Sequence, residues 1–414
     1  MTKKASTPAL RFKGFTYTWK QRKLSDQFSD FIVPMRDKPK KFGGNIPWTR
    51  IEDIEGKYLN GSLSGQFVSK DTIKQMNLKI IPKDSLIVSS SATFGVVAII
   101  TQDLITNQTF IGLVPNDKET LDFWYTFFHS NEARNYMRLQ SAGSTIFYIA
   151  REHFEKMPII IPFKDEMITI GKYFSNLDRL ITLHQRKYDK LTNMKKSMLE
   201  KMFPKNGANV PEIRFKGFTD AWEQRKLSSL CDKFTDGDWI EAKDQSNSGV
   251  RLIQTGNVGV AEYLDKPNNK KWVSNDTFEA LHCEEVFEGD ILISRLPEPA
   301  GRACIVPNLG TKMITAVDCT IVRVSKNTSN EFLLQYLSSQ NYFDEVNTCL
   351  AGGTRQRISR SNLANFDVPM PTKKSEQVAI GSFFTNLDRL ITLHQRELEK
   401  LKNLKKACLE KMFV

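Results

Sequence analysis

The sequence predicts an α/β protein that is built as an internal repeat, with two mixed α/β domains and two long helices. The helices are predicted by a segment that occurs twice: residues 176–203 and 386–413 share 21 of 28 positions, and both begin with NLDRLITLHQR. A second repeated segment, at 11–25 and 214–228, shares 12 of 15 positions. Between these repeats lie two long inserts whose sequences differ almost completely. A duplicated frame has therefore been kept while its inserts diverged.

The repeats divide the 414 residues into four parts. Residues 1–165 form the first α/β domain with its N-terminal repeat segment, and residues 166–205 form the first long helix. Residues 206–374 form the second α/β domain with its own repeat segment, and residues 375–414 form the second helix. Each of the two domains is long enough to bury a core of its own.

The helices are predicted by apolar residues that recur at alternating steps of four and three, without proline or glycine. Proline and glycine at 203–207 end the first helix. Two helices with matching seams are expected to pack on each other, although each could instead lie on its neighbouring domain. One histidine and one lysine interrupt each seam, and such polar residues fix register more often than they catalyse. The helix-pairing residues are Leu177, Ile181, His184, Leu191, Leu387, Ile391, His394 and Leu401.

The inserts combine short β-type runs with amphipathic helical segments, and this mixture predicts α/β domains. The helical segments are 120–140 in the first insert and 329–350 in the second. The β-type runs are 84–91, 95–101, 289–295, 302–308 and 319–325.

Each helical segment is followed by a loop that shares the letters A-G-x-T, SAGSTIFYIAREHF at 141–154 and LAGGTRQRISRSNL at 350–363. A glycine brings backbone close to a phosphate or a base, and serine and threonine supply hydroxyl donors. Arginine pairs with guanine, glutamine pairs with adenine, and tyrosine stacks or contacts a thymine methyl. Alternatively, the loop is only a turn with solvated arginines. The candidate DNA contacts here are Ser144, Thr145, Tyr148, Thr354, Arg355, Gln356 and Arg357.

Basic residues elsewhere in the inserts are plausible phosphate contacts as a group, although each one alone is an ordinary solvated charge. The chain has 59 basic and 47 acidic residues, a net charge of +12, which favours a polyanionic partner. The further DNA-binding candidates are Lys40, Lys41, Arg50, Arg251, Lys271, Arg295 and Arg302.

Several classes of function lack support in the sequence. No P-loop, G-x-G-x-x-G, H-E-x-x-H, G-x-S-x-G or N-P-P-[YF] motif occurs, so we expect no catalytic residue and no metal or cofactor in this chain. The six cysteines contain no C-x-x-C pair, which favours reduced thiols in a cytoplasmic protein. There is no signal-peptide core and no apolar run long enough for a membrane. The sequence predicts recognition rather than chemistry.

Taken together, the duplicated helices, the repeated RFKGFT segments and the two unlike inserts resemble the specificity subunit of type I restriction-modification enzymes. The resemblance covers essentially the whole chain. It implies two target-recognition domains that are joined by two long antiparallel helices as a coiled coil, with pseudo-two-fold symmetry. Each domain would read one half of a bipartite, asymmetric sequence in double-stranded DNA, and the helices would set the number of unread base pairs between the halves.

The same resemblance implies partners that supply the chemistry. Two methyltransferase (modification) subunits would bind the repeated frame and carry S-adenosylmethionine, while motor and restriction subunits would use ATP and Mg²⁺. The whole complex would methylate adenine and cleave DNA as a type I site-specific deoxyribonuclease. Two other interpretations remain open: a stand-alone DNA enzyme, and a scaffold that binds proteins rather than DNA.

Overall fold

The structure, a computed structural model, describes residues 7–90, 95–141, 148–205, 207–353 and 356–413. The chain divides into two compact units, the first formed by residues 1–185 and 396–414 and the second by residues 186–395. Each unit therefore contains one α/β domain, the first half of one long helix and the last half of the other. This division cuts across the linear order of domain and helix that the sequence predicts.

The described residues of the first unit form three sheets. They are a two-stranded pair β1·β10, a five-stranded sheet in the order β2-β9-β6-β7-β4, and a three-stranded sheet in the order β5-β3-β8. The strands are β1 Lys20–Lys23, β2 Phe28–Ile32, β3 Ile46–Thr49, β4 Tyr58–Leu59, β5 Phe67–Val68, β6 Leu86–Ser89, β7 Val97–Ile100, β8 Ile105–Thr106, β9 Phe110–Pro115 and β10 Pro158–Ile161. The helices are α1 Lys70–Met76, α2 Leu121–Phe127, α3 Asn131–Gln140, α4 Arg151–Glu155 and α5 Lys164–Met202, of which α5 continues into the second unit.

In the second unit, the part that the structure describes also forms three sheets, namely the pair β11·β20 and two four-stranded sheets in the orders β12-β19-β16-β17 and β13-β15-β14-β18. The strands are β11 Glu223–Lys226, β12 Cys231–Asp236, β13 Gln245–Ser246, β14 Val250–Ile253, β15 Lys271–Val273, β16 Ile291–Ser294, β17 Ala303–Ile305, β18 Met313–Thr315, β19 Cys319–Val324 and β20 Asp367–Met370. The helices are α6 Asn275–Ala280, α7 Asn330–Tyr336, α8 Gln340–Thr348, α9 Arg360–Ala364 and α10 Lys374–Lys411, of which α10 continues into the first unit.

The two inserts share one topology despite their different sequences. The order β2-β9-β6-β7 corresponds to β12-β19-β16-β17, and β5-β3-β8 corresponds to β15-β14-β18. The parallel pairing of β3 with β8 recurs between β14 and β18. Duplication therefore extends through the inserts, where the backbone plan has been retained and the side chains have changed.

The predicted strands are confirmed as β6, β7, β16, β17 and β19, because largely apolar runs of three to six residues are buried within sheets. The two predicted helical segments are each interrupted. The Ser130 hydroxyl accepts the N–H of Ala133 and starts α3, and the Ser339 hydroxyl accepts the N–H of Tyr342 and starts α8. N-terminal caps of this kind mark the start of a new helix.

The long helices pair antiparallel, and each unit contains one copy of the same contact. In the first unit, Lys405 Nζ lies 2.5 Å from Asp178 Oδ1. In the second unit, Lys195 Nζ lies 2.6 Å from Asp388 Oδ1. Each pair joins an early residue of one helix to a late residue of the other. The lysines that interrupt the predicted seams therefore have partners, which lie in the NLDRL repeat of the opposite helix.

The apolar seam residues pack within the same two units. Leu177 and Leu401 belong to the core cluster of the first unit, and Leu387 and Leu191 belong to that of the second. Leu177 and Leu387 are each 5 % exposed. The other predicted helix-pairing residues, Ile181, His184, Ile391 and His394, are half-buried.

The repeated N-terminal segments are fixed to the start of the long helices by a buried ion pair. In the first unit, the guanidinium of Arg11 donates to both carboxylate oxygens of Glu166, at 2.6 and 2.7 Å. In the second unit, Arg214 does the same to Glu376, at 2.6 and 2.8 Å. We call these two contacts the arginine clamps.

Candidate nucleic-acid interface

Three loops of the second unit meet at the end of β16. The N–H of Arg295 donates to the carbonyl of Asp318 in the β18–β19 turn, at 2.8 Å. The N–H of Ile358 donates to the carbonyl of Arg295, at 3.2 Å. Ala351 and Arg357 close the A-G-x-T loop with two mutual backbone hydrogen bonds of 2.9 and 3.0 Å. We call this place the second loop junction, formed by the described residues of 295–299, 316–318 and 350–358.

The first unit builds the same junction with different side chains. The N–H of Ser90, at the end of β6, donates to the carbonyl of Thr109 at 2.8 Å, and the N–H of Ile149 donates to the carbonyl of Ser90 at 2.7 Å. We call the described residues 90, 107–109 and 148–149 the first loop junction. These hydrogen bonds make Ser90 equivalent to Arg295, Thr109 to Asp318, and Tyr148 to Arg357.

The junctions present polar and aromatic groups of contrasting chemistry. Tyr148 is 55 % exposed in the first junction. In the second, Gln356 is exposed and the Arg357 side chain is 62 % exposed, with its Nη1 3.8 Å from Asp318 Oδ1. One junction thus offers an aromatic ring, whereas the other offers a guanidinium, an amide and a carboxylate. Such groups can read different base edges.

The structure adds three side chains near the second junction that the sequence did not single out. Asp236, at the end of β12, accepts a hydrogen bond from Thr320 at 2.9 Å and lies 3.8 Å from the Nε of Arg360. Trp239 is 72 % exposed and follows Asp238, whose backbone is hydrogen-bonded to Thr315 at 2.9 Å beside the β18–β19 turn. A tryptophan inside the polar run DGDWIEAKD was the available signal for it.

Three arginines predicted to contact DNA are hydrogen-bonded to backbone carbonyls. Arg251 is 2 % exposed and donates to the carbonyls of Leu252 and Lys271, at 3.2 and 2.8 Å. Arg295 is 8 % exposed and donates to the Val317 carbonyl at 2.6 Å. Burial lowers the pKa of Arg302. Its guanidinium is satisfied by the carbonyls of Thr255, Val258, Leu296, Pro297 and Pro299.

These guanidiniums hold backbone in place; those of Arg251 and Arg295 are buried, and that of Arg302 is half-buried. Arg295 and Arg302 bond loops of the second junction, so they shape the surface on which other residues are displayed. Arg251 instead joins β14 to β15 through the Lys271 carbonyl. Backbone contacts therefore account for the placement of all three guanidiniums.

The remaining predicted DNA contacts are dispersed or undescribed. Lys40 and Lys41 are exposed, and Lys271 is half-buried on β15. Arg50 is half-buried, with its Nε 3.1 Å from Glu52. The structure does not bring these four into the described part of either junction. Ser144, Thr145, Thr354 and Arg355 lie outside the described residues.

The described residues contain no group of three or more histidine, cysteine, aspartate or glutamate side chains arranged to hold a metal ion. All six cysteines are free thiols. Among the described helices, none is sufficiently long and apolar to cross a bilayer.

Comparison with known proteins identifies one family. The family model described as the type I restriction modification DNA specificity domain matches residues 18–193 and again residues 219–403. These two matches together cover most of the chain and follow its internal repeat.

The individual proteins that this chain is similar to are also type I restriction specificity subunits. The chain is 23 % identical, over 91 % of its length and 90 % of the relative's, to the type I restriction enzyme MjaVIII specificity subunit of Methanocaldococcus jannaschii. It is 30 % identical, over 30 % of each chain, to the EcoprrI specificity subunit of Escherichia coli. Its fold is similar to a crystal structure of a type I restriction-modification S subunit from M. genitalium, with a TM-score of 0.57, 16 % identity and 99 % of both chains covered.

Proposed function

Because this chain belongs to the type I restriction-modification DNA specificity family, we propose that its two loop junctions read the two halves of a bipartite, asymmetric site in double-stranded DNA. Subunits of this family recognise a DNA sequence and assemble with other subunits. The net charge of +12 suits a partner that is a polyanion.

The observation that carries this proposal is the pair of loop junctions. Their backbones are joined by equivalent hydrogen bonds, yet Tyr148 in one stands where Arg357 stands in the other. A common backbone with unlike exposed side chains suits two readers of unlike sequences. Asymmetry of the DNA site follows directly, because the two halves meet different donors and acceptors.

Each exposed group has a preferred base. The Arg357 guanidinium has the forked geometry for O6 and N7 of guanine, and the Gln356 amide matches adenine. The Tyr148 ring can contact a thymine methyl or stack on an opened base. Lys40, Lys41 and Lys271 are proposed phosphate contacts, which add affinity without sequence preference.

Substitutions in one junction should alter only one half-site. Arg357→Ala should relax one base position, with a loss of about 1–3 kcal/mol of discrimination. Tyr148→Ala should change the other half-site instead. The readout is the methylated sequence, mapped genome-wide in a host that carries this chain with its modification subunit. Arg225→Ala is the matched control, since this arginine is exposed on the repeated strand β11. If Arg357→Ala left the methylated sequence unchanged, the junction would not be the reading surface.

The antiparallel helices are proposed to fix the number of unread base pairs. Inserting seven residues after Arg186 and another seven after Arg396 keeps the seam register and leaves both Asp–Lys contacts possible. Seven residues add about 10.5 Å of helix, or about three base pairs at roughly 3.4 Å each. The gap should lengthen by about that amount, with both half-sequences unchanged. The same insertion in α5 alone is the control, because the two Asp–Lys contacts can then no longer form at the same time.

The duplicated helices are also proposed to bind two copies of one partner, the methyltransferase subunit. The repeated sequence NLDRLITL exposes two equivalent leucines in each unit. Leu180 and Leu183 are 36 % and 46 % exposed in the first unit, and Leu390 and Leu393 are 38 % and 51 % exposed in the second. Exposed leucines that recur at identical repeat positions suit a partner that docks twice.

Charge introduced on this surface tests the stoichiometry. Leu393→Asp should remove one methyltransferase copy and leave the other, whereas Leu183→Asp with Leu393→Asp should remove both, as measured by native mass spectrometry of the complex. S-adenosylmethionine, ATP and Mg²⁺ are proposed to act in partner subunits. The purified chain should accordingly neither methylate nor cleave DNA when supplied with all three, and turnover by the chain alone would contradict this assignment.

A further inference from the structure

Asp318 occupies a fixed position in the second loop junction while its side chain stays accessible. Its carbonyl accepts the N–H of Arg295 at 2.8 Å, and Arg295 in turn donates from Nη2 to the neighbouring Val317 carbonyl at 2.6 Å. The Asp318 side chain is 30 % exposed. The backbone of the turn is therefore fixed by a buried arginine, while the carboxylate of Asp318 remains partly exposed to solvent.

Among the described residues, the charged group paired with this carboxylate is the guanidinium of Arg357, and the contact is weak. Arg357 Nη1 lies 3.8 Å from Asp318 Oδ1, and the Arg357 side chain is 62 % exposed. Exposed ion pairs of this length contribute little to folding stability. Both groups can therefore exchange this contact for contacts to another molecule without unfolding the turn.

A carboxylate is an unfavourable group on a surface that meets phosphates, because like charges repel. It is useful there only if it selects. An ionised carboxylate accepts hydrogen bonds and cannot donate them. In the major groove, the groups that donate are the exocyclic amino groups of cytosine and adenine. Guanine and thymine present acceptors at the corresponding positions and are disfavoured by a carboxylate.

We propose that Asp318 is a specificity-determining residue of the second recognition domain, whose carboxylate accepts a hydrogen bond from the exocyclic amino group of a cytosine or adenine. This base lies next to the one that Arg357 contacts. The inference rests on the proposed DNA-reading function. It deepens that function by assigning an acidic DNA contact to a junction where the sequence indicated only hydroxyl, basic and amide groups.

The arrangement also explains why the pair stands together. Without DNA, Asp318 and Arg357 partly neutralise each other's charge, so the junction does not attract phosphates irrespective of sequence. On the correct sequence, each group finds a base-edge partner. On a wrong sequence, at least one of the two charged groups is left without a partner at the DNA surface. An unpaired, desolvated charge weakens binding more than the loss of a contact alone.

The test uses the full-length chain in complex with its modification subunit and a pool of duplexes with a randomised target. Asp318→Asn keeps the size of the side chain but adds a hydrogen-bond donor, so guanine and thymine, which present acceptors, should now also be bound at this position. We expect discrimination at one base position to fall by about tenfold. Arg357→Lys should broaden a different, adjacent position, since lysine lacks the guanidinium fork. Glu279→Gln, an exposed charge removal on α6, should change neither.

The partner of Asp318 is identified from the wild-type complex: the base that it selects at the position affected by Asp318→Asn should be cytosine or adenine. An unchanged selection by Asp318→Asn would overturn the proposal, as would a change at the same position that Arg357→Lys alters, because Asp318 would then act only through Arg357. Failure of the unmodified complex to select any sequence would instead overturn the proposed function.

Discussion

Removing one member of an arginine clamp should destabilise its unit strongly. In the second unit, Arg214 makes two hydrogen bonds to Glu376 and a third, of 2.7 Å, to the Asp220 carbonyl. The Glu376 side chain is only 1 % exposed. Arg214→Ala leaves this carboxylate buried without its cation, and such changes typically cost about 3–5 kcal/mol. Because the Trp222 indole still donates to Glu376 at 3.3 Å, we expect about 3 kcal/mol.

A loss of this size is measurable by hydrogen–deuterium exchange. About 3 kcal/mol corresponds to a rise of roughly a hundredfold in the opening equilibrium at 25 °C. The amides of the β11·β20 pair should therefore exchange roughly a hundredfold faster in the variant. Arg225→Ala is the control, since its side chain is 55 % exposed and its partner Glu223 lies two residues away on the same strand.

The double variant Arg214→Met with Glu376→Met separates the cost of a stranded charge from the value of the pair. Apolar replacement of both members of a buried ion pair is often neutral. The double variant should therefore exchange more slowly than Arg214→Ala. The reasoning would be refuted if Arg214→Ala left exchange at β11·β20 unchanged, or if the double variant were the less stable of the two.

Three further outcomes follow from described contacts. Burial lowers the pKa of His129 from 6.5 to about 4, so the folded first unit binds this proton less tightly than the unfolded chain. The contribution of this group to the free energy of unfolding is therefore fully present above pH 6.5 and falls by at most about 3 kcal/mol towards pH 4. His129→Gln should remove that part of the dependence of stability on pH, as measured by denaturant titrations at several pH values. Gly381→Ala would place a methyl carbon 2.8 Å from the backbone nitrogen of Phe332, so α10 should shift from α7 and the melting temperature of the second unit should drop, as measured by calorimetry. Lys405→Ala should leave Asp178 without its cation and increase hydrogen exchange in the last turns of α10, while exchange in α1 stays unchanged.

The periodic features of this protein are predictable from its sequence, because periodicity reports local geometry. The seam from Leu177 onward identifies a helix, and the buried runs identify β6 and β16. The internal repeat also indicates the pairing of the helices. The register could not be predicted, since Lys195 looks like a costly intrusion until Asp388 is known to lie beside it.

The candidate site was less predictable because sequence does not reveal burial. Arg302 and Arg357 are equally basic as letters, yet one is enclosed by five backbone carbonyls and the other is exposed. Asp318 carries no motif, and its importance depends on a backbone hydrogen bond to a residue 23 positions away. Long-range contacts of this kind are properties of the folded chain alone.

The way the two units share their helices has a consequence for synthesis on the ribosome. Residues 186–395 of the second unit have all been translated before residues 396–413, which the first unit requires. Until then, Phe123, Phe127 and Phe174 lack the ring of Phe413, which lies 5.7–6.2 Å from theirs in the finished protein. The domain that is made first is thus completed last. During that interval its aromatic core is incompletely packed, and apolar surface left unpacked in this way is prone to aggregation.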